Sequence, residues 1–294
     1  MSDRHTPLSL VLRYAALIAV SAVMIGPFLW LLSLSVRGGG NIYEMRLIPS
    51  VMTLDTYREV WTDYQLAGNF LNSVLVAVLS VVLTVLLAGT AAYPLARHTF
   101  RGRQLVFLAI LSTMMVPFQV YMVPLVLLCK DIGLSDAAVN LPGPLDGLEG
   151  IARRLRAAVA VVLPFSVSAF GVFLLRQHFL GVPRDLEEAA RIDGAGEFTI
   201  WRVVMMPLAK PAVATLAIFT FVFSWSNFLW PLLILSREET YTLPVRIAQL
   251  SGALIRSTNT LAAASVIAIV PVIVFFLIFQ RWFIQGATLG AVKG

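Results

Sequence analysis

The sequence predicts an all-α integral membrane protein, with six transmembrane helices and a polar cytoplasmic loop between helices 4 and 5. Three observations predict it. Of 294 residues, 59% are hydrophobic and 13% charged, whereas a soluble domain carries about a quarter charged residues. The mean hydropathy is +0.84. The 22 Lys and Arg and 16 Asp and Glu leave six uncharged windows of 19 residues or more, and about 20 helical residues cross roughly 30 Å of hydrocarbon. A spanning strand would alternate apolar with polar residues, which the run VLVAVLSVVLTVLLAG does not do.

The windows are Tyr14–Val36, Tyr64–Ala96, Gln104–Cys129, Ala157–Leu175, Pro211–Ser236 and Ser257–Gln280. They predict spans at about 14–36, 69–96, 104–129, 157–178, 211–236 and 258–280 within a single domain over 1–294. Arg4 and Arg13 ahead of the first window resemble a secretory signal. Its 23 uncharged residues exceed a usual signal core and no small-residue cleavage pattern follows Ser35, so it reads as an uncleaved span.

After it, Arg37–Gly40 reads as a flexible or turn segment, and Thr53-Leu-Asp55 offers N-cap residues for a helix through Trp61. The second connection, Arg97 to Arg103, is short and basic. The third, Lys130 to Arg156, holds Leu145, Leu148, Ile151 and Leu155, one stripe of an amphipathic helix whose arginines 153, 154 and 156 are expected at lipid headgroups. Pro27, Pro94, Pro117, Pro124, Pro164, Pro231 and Pro271 fall within windows and are expected to kink helices, though proline is also simply commoner in membrane helices. Trp30, Trp225, Trp230 and Trp282 sit toward span ends, as interface anchors do.

Placing both termini in the cytoplasm puts twelve bases and six acids inside, against ten of each outside, so the whole excess of +6 is cytoplasmic. Five of the six inner acids lie between Asp185 and Glu197. A nucleic-acid partner is not expected from so small and scattered an excess. The single Cys129 forms no internal disulfide, and His5, His98 and His178 lack metal-ligand spacing, so no metal site is expected.

The loop at about 181–210 is the informative stretch. Pro183 stops the incoming chain, Asp185 is placed to cap a helix over about Leu186–Ile192, and Glu188 to complete a capping box. Asp193-Gly194 breaks that helix, and a second runs from about Glu197 to Met206, ended by Pro207. The element presents Leu186, Ala189, Ala190, Ile192 and Phe198 among Glu187, Glu188 and Arg191. It suits docking to another protein, or else resting on lipid headgroups, which its acids make less comfortable.

Glu188-Ala189-Ala190, Asp193-Gly194-Ala195, Val204 and Met206-Pro207 resemble the EAA loop of ATP-binding-cassette importer permeases, with Val204 for Ile and Met206 for Leu. The resemblance extends over nearly the whole chain. It points to the carbohydrate-uptake branch, and in it to the smaller permease of maltose-type transporters. Supporting stretches are Asn72-Ser73, Ala92-Tyr93-Pro-Leu-Ala-Arg97, Phe100-Arg-Gly102, Met115-Val-Pro117, Phe173-Leu-Leu-Arg-Gln177, Trp225-Ser-Asn-Phe-Leu-Trp-Pro231 and Gly290-Ala-Val-Lys-Gly294. The stretch from about Leu141 to Arg156 is longer than the family's usual outer loop.

The resemblance implies a subunit that forms half of a translocation pore with a second permease in a bacterial or archaeal inner membrane. Two partner ATPases bind ATP and Mg, and an extracytoplasmic binding protein delivers the solute. No glycine is followed by lysine, so the chain has no Walker A loop, and it is expected to hold no cofactor and to catalyse nothing itself. Glu187, Glu188 and Arg191 are assigned to polar contacts with the ATPase, Ala189 and Ala190 to close packing, and Gly194 to the turn. Asp193, Ala195 and Pro207 complete the coupling set, and the tail from Gly286 is a further contact by analogy.

For the solute path, Gln119, Trp225, Asn227 and Phe228 are candidates, with helix packing as the alternative. A glycerol phosphate ester or polyol glycoside is an alternative solute. A self-sufficient secondary transporter would need an intramembrane carboxylate, and no window has one; nor is there an HExxH or GxSxG for a membrane enzyme.

Overall fold

The computed structural model describes residues 7–38, 46–135, 148–253 and 258–289. Among these, every regular element is helical, apart from an isolated antiparallel bridge between Arg37 and Met52. The helices are α1 (Pro7–Ser35), α2 (Asp55–Thr62), α3 (Leu66–Arg97), α4 (Arg103–Ser112), α5 (Phe118–Asp131), α6 (Leu148–Val162) and α7 (Ala169–Leu180). There follow α8 (Asp185–Ile192), α9 (Glu197–Thr199), a π-helical segment (Ile200–Met205), α10 (Met206–Leu208), α11 (Lys210–Ser226), α12 (Leu229–Ile234), α13 (Leu243–Ala253) and α14 (Thr258–Leu289). The described residues of Met1–Ala67 and Ile247–Val270 form one unit, and those of Gly68–Arg246 and Pro271–Gly294 another.

Leu10–Ser35, Leu66–Arg97 and Thr258–Gln280 are each long and apolar enough to cross a bilayer. Three bent pairs bring the number to at most six: Arg103–Met115 with Phe118–Asp131 (98°), Gly150–Phe165 with Ala169–Leu180 (63°), and Glu197–Leu208 with Lys210–Ser226 (79°). The third and fourth windows are thus not straight helices; the third bend lies at Ala209, ahead of the fifth window, which is interrupted instead at Asn227–Phe228 between α11 and α12. Pro27, Pro94, Pro124 and Pro271 stay inside continuous helices. Pro117 forces Val116 out of the helical region (φ −87, ψ 112), since its ring crowds the residue before it. Pro164 lies in a 3₁₀ turn after α6. Pro231 lacks the N–H that would reach back to Asn227, which is extended (ψ 120) at the end of α11.

In the first unit, α1 is exposed along nearly its whole length, with Val23 at 76%. Such a surface suits lipid or a neighbouring subunit rather than water. Arg37–Gly40, expected to be a flexible or turn segment, begins with the bridge: Gly38 N–H donates to Val51 O (2.9 Å) and Thr53 N–H to Val36 O (2.8 Å), while Gly39 and Gly40 lie outside the described residues. The N-cap of α2 is Leu54, which makes no side-chain capping bond, rather than Thr53 or Asp55 as expected; Thr53 Oγ1, one residue earlier, accepts from Asp55 N–H (3.1 Å).

In the second unit, α3, α7 and α11 approach closely because small residues face one another. A Cβ on Gly171 would lie 2.9 Å from Ala88 Cβ and 3.0 Å from a Leu216 methyl, and one on Gly89 would lie 3.0 Å from Met206 Sδ. Around them Tyr93, Leu175, Phe179, Ile200, Trp201 and Met205 form a buried core.

Two expectations are corrected here. Arg153 and Arg154 do not reach outward to headgroups: Arg153 is buried and pairs with Glu239 (2.8 Å), and Arg154 donates to Gly68 O (2.9 Å) and Asn72 Oδ1 (2.7 Å). Ile151 and Leu155 take the outward face, and Leu145 lies outside the described residues. Apolar side chains meet lipid at lower cost than guanidinium groups that have partners within the fold. Trp225 and Trp230 are buried in helix packing rather than anchored at an interface.

Candidate functional site

The EAA segment is built around α8. Asp185, Glu187 and Glu188 occupy its first turn and Arg191 its last, each on the side that the helix dipole favours. The expected capping box does not form, because the N-cap residue is Arg184 and Asp185 is already helical. The far end is a Schellman cap: Gly194 takes φ +82, its N–H donates to Arg191 O (3.0 Å), and Ala195 N–H donates to Ala190 O (2.9 Å). This is why glycine follows Asp193.

Side chains tie the segment to the end of α3. Glu187 and Arg97 form an ion pair, each side chain only 5% exposed, and Arg97 also donates to Val182 O (2.5 Å). Glu187 therefore points into its own chain, which corrects its assignment to an outward contact. Burial is tolerable there because the opposite charge is met at once. Glu197 is a second hub. Its carboxylate accepts from Arg191 Nε (3.0 Å) and Tyr93 Oη (2.8 Å) and lies 3.3 Å from His98 Nε2. The hydrogen bond from Arg191, then that from Tyr93, holds the Glu197 carboxyl below its ordinary range, and the same bond raises Arg191.

The opposite face is open. Leu186 (44%), Ile192 (87%) and Phe198 (66%) are exposed, and Glu188, Ala189, Arg191 and Asp193 are exposed beside them. Ala190 and Ala195 are half-buried against the core. The second helix does not end at Pro207, which is exposed. It passes through the π segment and continues as α10 to Leu208. Pro207 removes one N–H from the ladder, and the change of register just before it accommodates the gap.

Arg97, Tyr93, His98 and Glu197 position the segment without having been singled out for it in the sequence. The available signal was Arg97, the first charge after a long uncharged window, paired with an acid-rich loop.

The solute-path candidates are not brought together around one cavity. Trp225 is buried, edge-on to Phe70 at 5.7 Å and stacked with Phe221 at 5.7 Å. Asn227 sits at the break after α11, its Oδ1 accepting from Trp230 N–H (3.4 Å); Phe228 is 38% exposed, and Gln119 is exposed in the first turn of α5. A cavity of about 1020 Å³ in the second unit has none of the four in its lining. The tail from Gly286, expected as a further contact, falls partly on α14, of whose side chains nothing is described beyond Gln280, and residues 290–294 lie outside the described residues.

Apolar helices, some of them broken, carrying a polar two-helix element with an exposed apolar face define a membrane protein. The chain belongs to the binding-protein-dependent transport system inner membrane components, whose family model matches residues 80–288. It is similar to the arabinooligosaccharides transport system permease protein AraQ of Bacillus subtilis (strain 168), 36% identical over 99% of both chains. It is also similar to the trehalose transport system permease protein SugB of Mycobacterium tuberculosis (strain CDC 1551 / Oshkosh), 34% identical over 91% of this chain and 92% of that one. Among solved structures, it is similar to a bacterial ABC transporter involved in the import of the acidic polysaccharide alginate, with TM-score 0.81 and 25% identity over 96% of this chain and 99% of that chain.

Proposed function

We propose that this chain is a permease subunit of an ATP-driven, binding-protein-dependent importer for a carbohydrate. It forms half of the pore with a second permease and crosses the inner membrane six times, with both termini in the cytoplasm. Two partner ATPases hold ATP and Mg, and an extracytoplasmic protein delivers the sugar. The carbohydrate class is supported by relatives that carry arabinooligosaccharides and trehalose.

One observation carries the coupling role: α8 exposes Leu186, Ala189 and Ile192 on one face while Glu187 on the other pairs with Arg97 of α3. A partner that grips the outer face moves α8, and the buried ion pair passes that displacement to a long apolar helix. Co-expression with the cognate ATPase tests this. Wild type is expected to co-purify with it, and Ile192→Glu, altering a side chain 87% exposed, to lose it without losing membrane insertion. Full retention of the ATPase by that variant would overturn the assignment.

A further inference from the structure

The cavity in the second unit sits where two bent helix pairs are broken. Thr113 belongs to the 3₁₀ turn between α4 and α5, and Ser168 caps α7 after the break that follows α6. Thr84 of α3 and Leu216, Phe219, Thr220 and Phe223 of α11 close the other side. Its volume of about 1020 Å³ lies at the upper end of the range of about 300–1,000 Å³ usual for small-molecule sites. Thr84 stands 13 residues before Arg97, and Thr113 ten after Arg103. At 1.5 Å per residue that is about 15–20 Å in from the charged ends, near the middle of a roughly 30 Å hydrocarbon layer.

Two features single this cavity out. Non-helical backbone at membrane depth persists only where protein buries it or where it lines a wet cavity, and broken helices facing a common space are a recurrent way of building a solute site. Here both breaks face the same space. The lining chemistry is the second feature. Hydroxyls come from Thr84, Thr113, Tyr121, Ser168 and Thr220, aromatic rings from Phe165, Phe170, Phe219 and Phe223, and no lining residue is charged. Ser168 Oγ accepts from Gly171 N–H (3.1 Å) and retains its O–H to donate, while Thr113 Oγ1 donates to Ile110 O (2.7 Å) and retains its lone pairs to accept. Pyranose and furanose rings offer C–H faces for stacking and hydroxyls for hydrogen bonds in both directions. A carboxylate or phosphate would find no cation in this wall and would bear its desolvation cost without return.

We propose that this cavity is a subsite for a neutral saccharide, contributed by this chain itself. The inference rests on the importer reading and names where, and for which class of sugar, this subunit contacts the solute. Rings stack on Phe219 and Phe223 while Ser168 and Thr220 fix the sugar hydroxyls.

The test uses the whole transporter in proteoliposomes with its ATPases and binding protein, and radiolabelled trehalose, raffinose and arabinotriose as probes. Uptake of none of the three by wild type would bring down the carbohydrate reading and this inference with it. Where a probe is carried, Thr220→Val and Phe223→Ala are each expected to raise its uptake KM about two- to tenfold, the loss of one hydrogen bond or stacking contact. The binding protein's own affinity stays fixed, and Thr220→Ser restores the wild-type KM. Unchanged KM in both variants would overturn the subsite and leave the importer reading standing; a lipid acyl chain then fills the space. Saturation-transfer NMR on the complex without its binding protein tests the neutral class. Raffinose is expected to receive signal and digalacturonate none, and equal transfer to both would overturn the assignment of charge.

Discussion

Two polar clusters in this apolar chain draw on side chains of the same helix, α3, to different ends. In the EAA segment the backbone of α8 is satisfied by its own helix and cap, and side chains from α3 hold the element through Arg97–Glu187 and Tyr93–Glu197. At the non-helical stretch between α12 and α13, side chains serve the backbone itself. Asn69 donates to Glu238 O (2.8 Å) and Tyr241 O (2.9 Å), Asn72 to Glu239 O (2.8 Å) and Tyr241 O (3.1 Å), and Ser73 Oγ accepts from Leu243 N–H (2.7 Å). The loop is pinned by its carbonyls, whereas α8 is pinned by one face and leaves the other exposed. The ion pairs differ in the same way: Glu187 is 5% exposed, but Glu239, the partner of Arg153, is 36% exposed.

That contrast is open to direct attack. The largest effect is expected from Arg97→Ala, which leaves the buried Glu187 carboxylate with only the longer pairing to Arg191 (3.6 Å) and should cost about 3 kcal/mol, read as loss of thermal stability in detergent. An unchanged melting temperature would break the comparison. Gly194→Pro comes next. Proline holds φ near −65°, against +82 here, and removes the N–H given to Arg191, a cost of about 3 kcal/mol confined to the α8 cap. Uptake should fall at least tenfold with membrane levels of the protein unchanged; wild-type uptake would remove the cap from the mechanism. Arg153→Met should be milder, about 1–2 kcal/mol, because Glu239 keeps access to water; a loss as large as that of Arg97→Ala would erase the distinction.

The smallest effect is a pH dependence at Glu197. Its carboxyl is held below the ordinary value, so its stabilisation is complete above the unfolded carboxylate pKa of about 4.3 and fades as the pH falls through the lower folded value. At 46% side-chain exposure the contribution is below about 1 kcal/mol. The difference in melting temperature between wild type and Glu197→Gln should shrink as the pH falls from about 5 through the carboxylate range. A difference that grew below about pH 4 would refute the pairing.

Much of this was legible in the sequence. The uncharged windows marked the apolar helices, and Asp193-Gly194 marked a turn whose cap proved to require φ +82. Proline content did not locate the breaks. Pro124 and Pro271 sit inside intact helices, while Pro117 lies at a 98° bend, and which outcome holds depends on what neighbouring helices supply. The inward turn of Arg153, Arg154 and Glu187 was hidden for another reason: their partners Glu239, Asn72 and Arg97 are 82 to 90 positions away along the chain. Helical periodicity reports a face, not the residue that meets it.

The buried pair between Arg97 and Glu187 also limits how far the EAA segment can be treated as a portable module. A chimaera that exchanged residues 181–210 with another permease would set a foreign acid against Arg97 and a foreign carboxylate against Tyr93 and His98. The natural unit of exchange is therefore discontinuous, the end of α3 together with the loop, and grafts made along one stretch of sequence would carry the exposed face of α8 without its anchor.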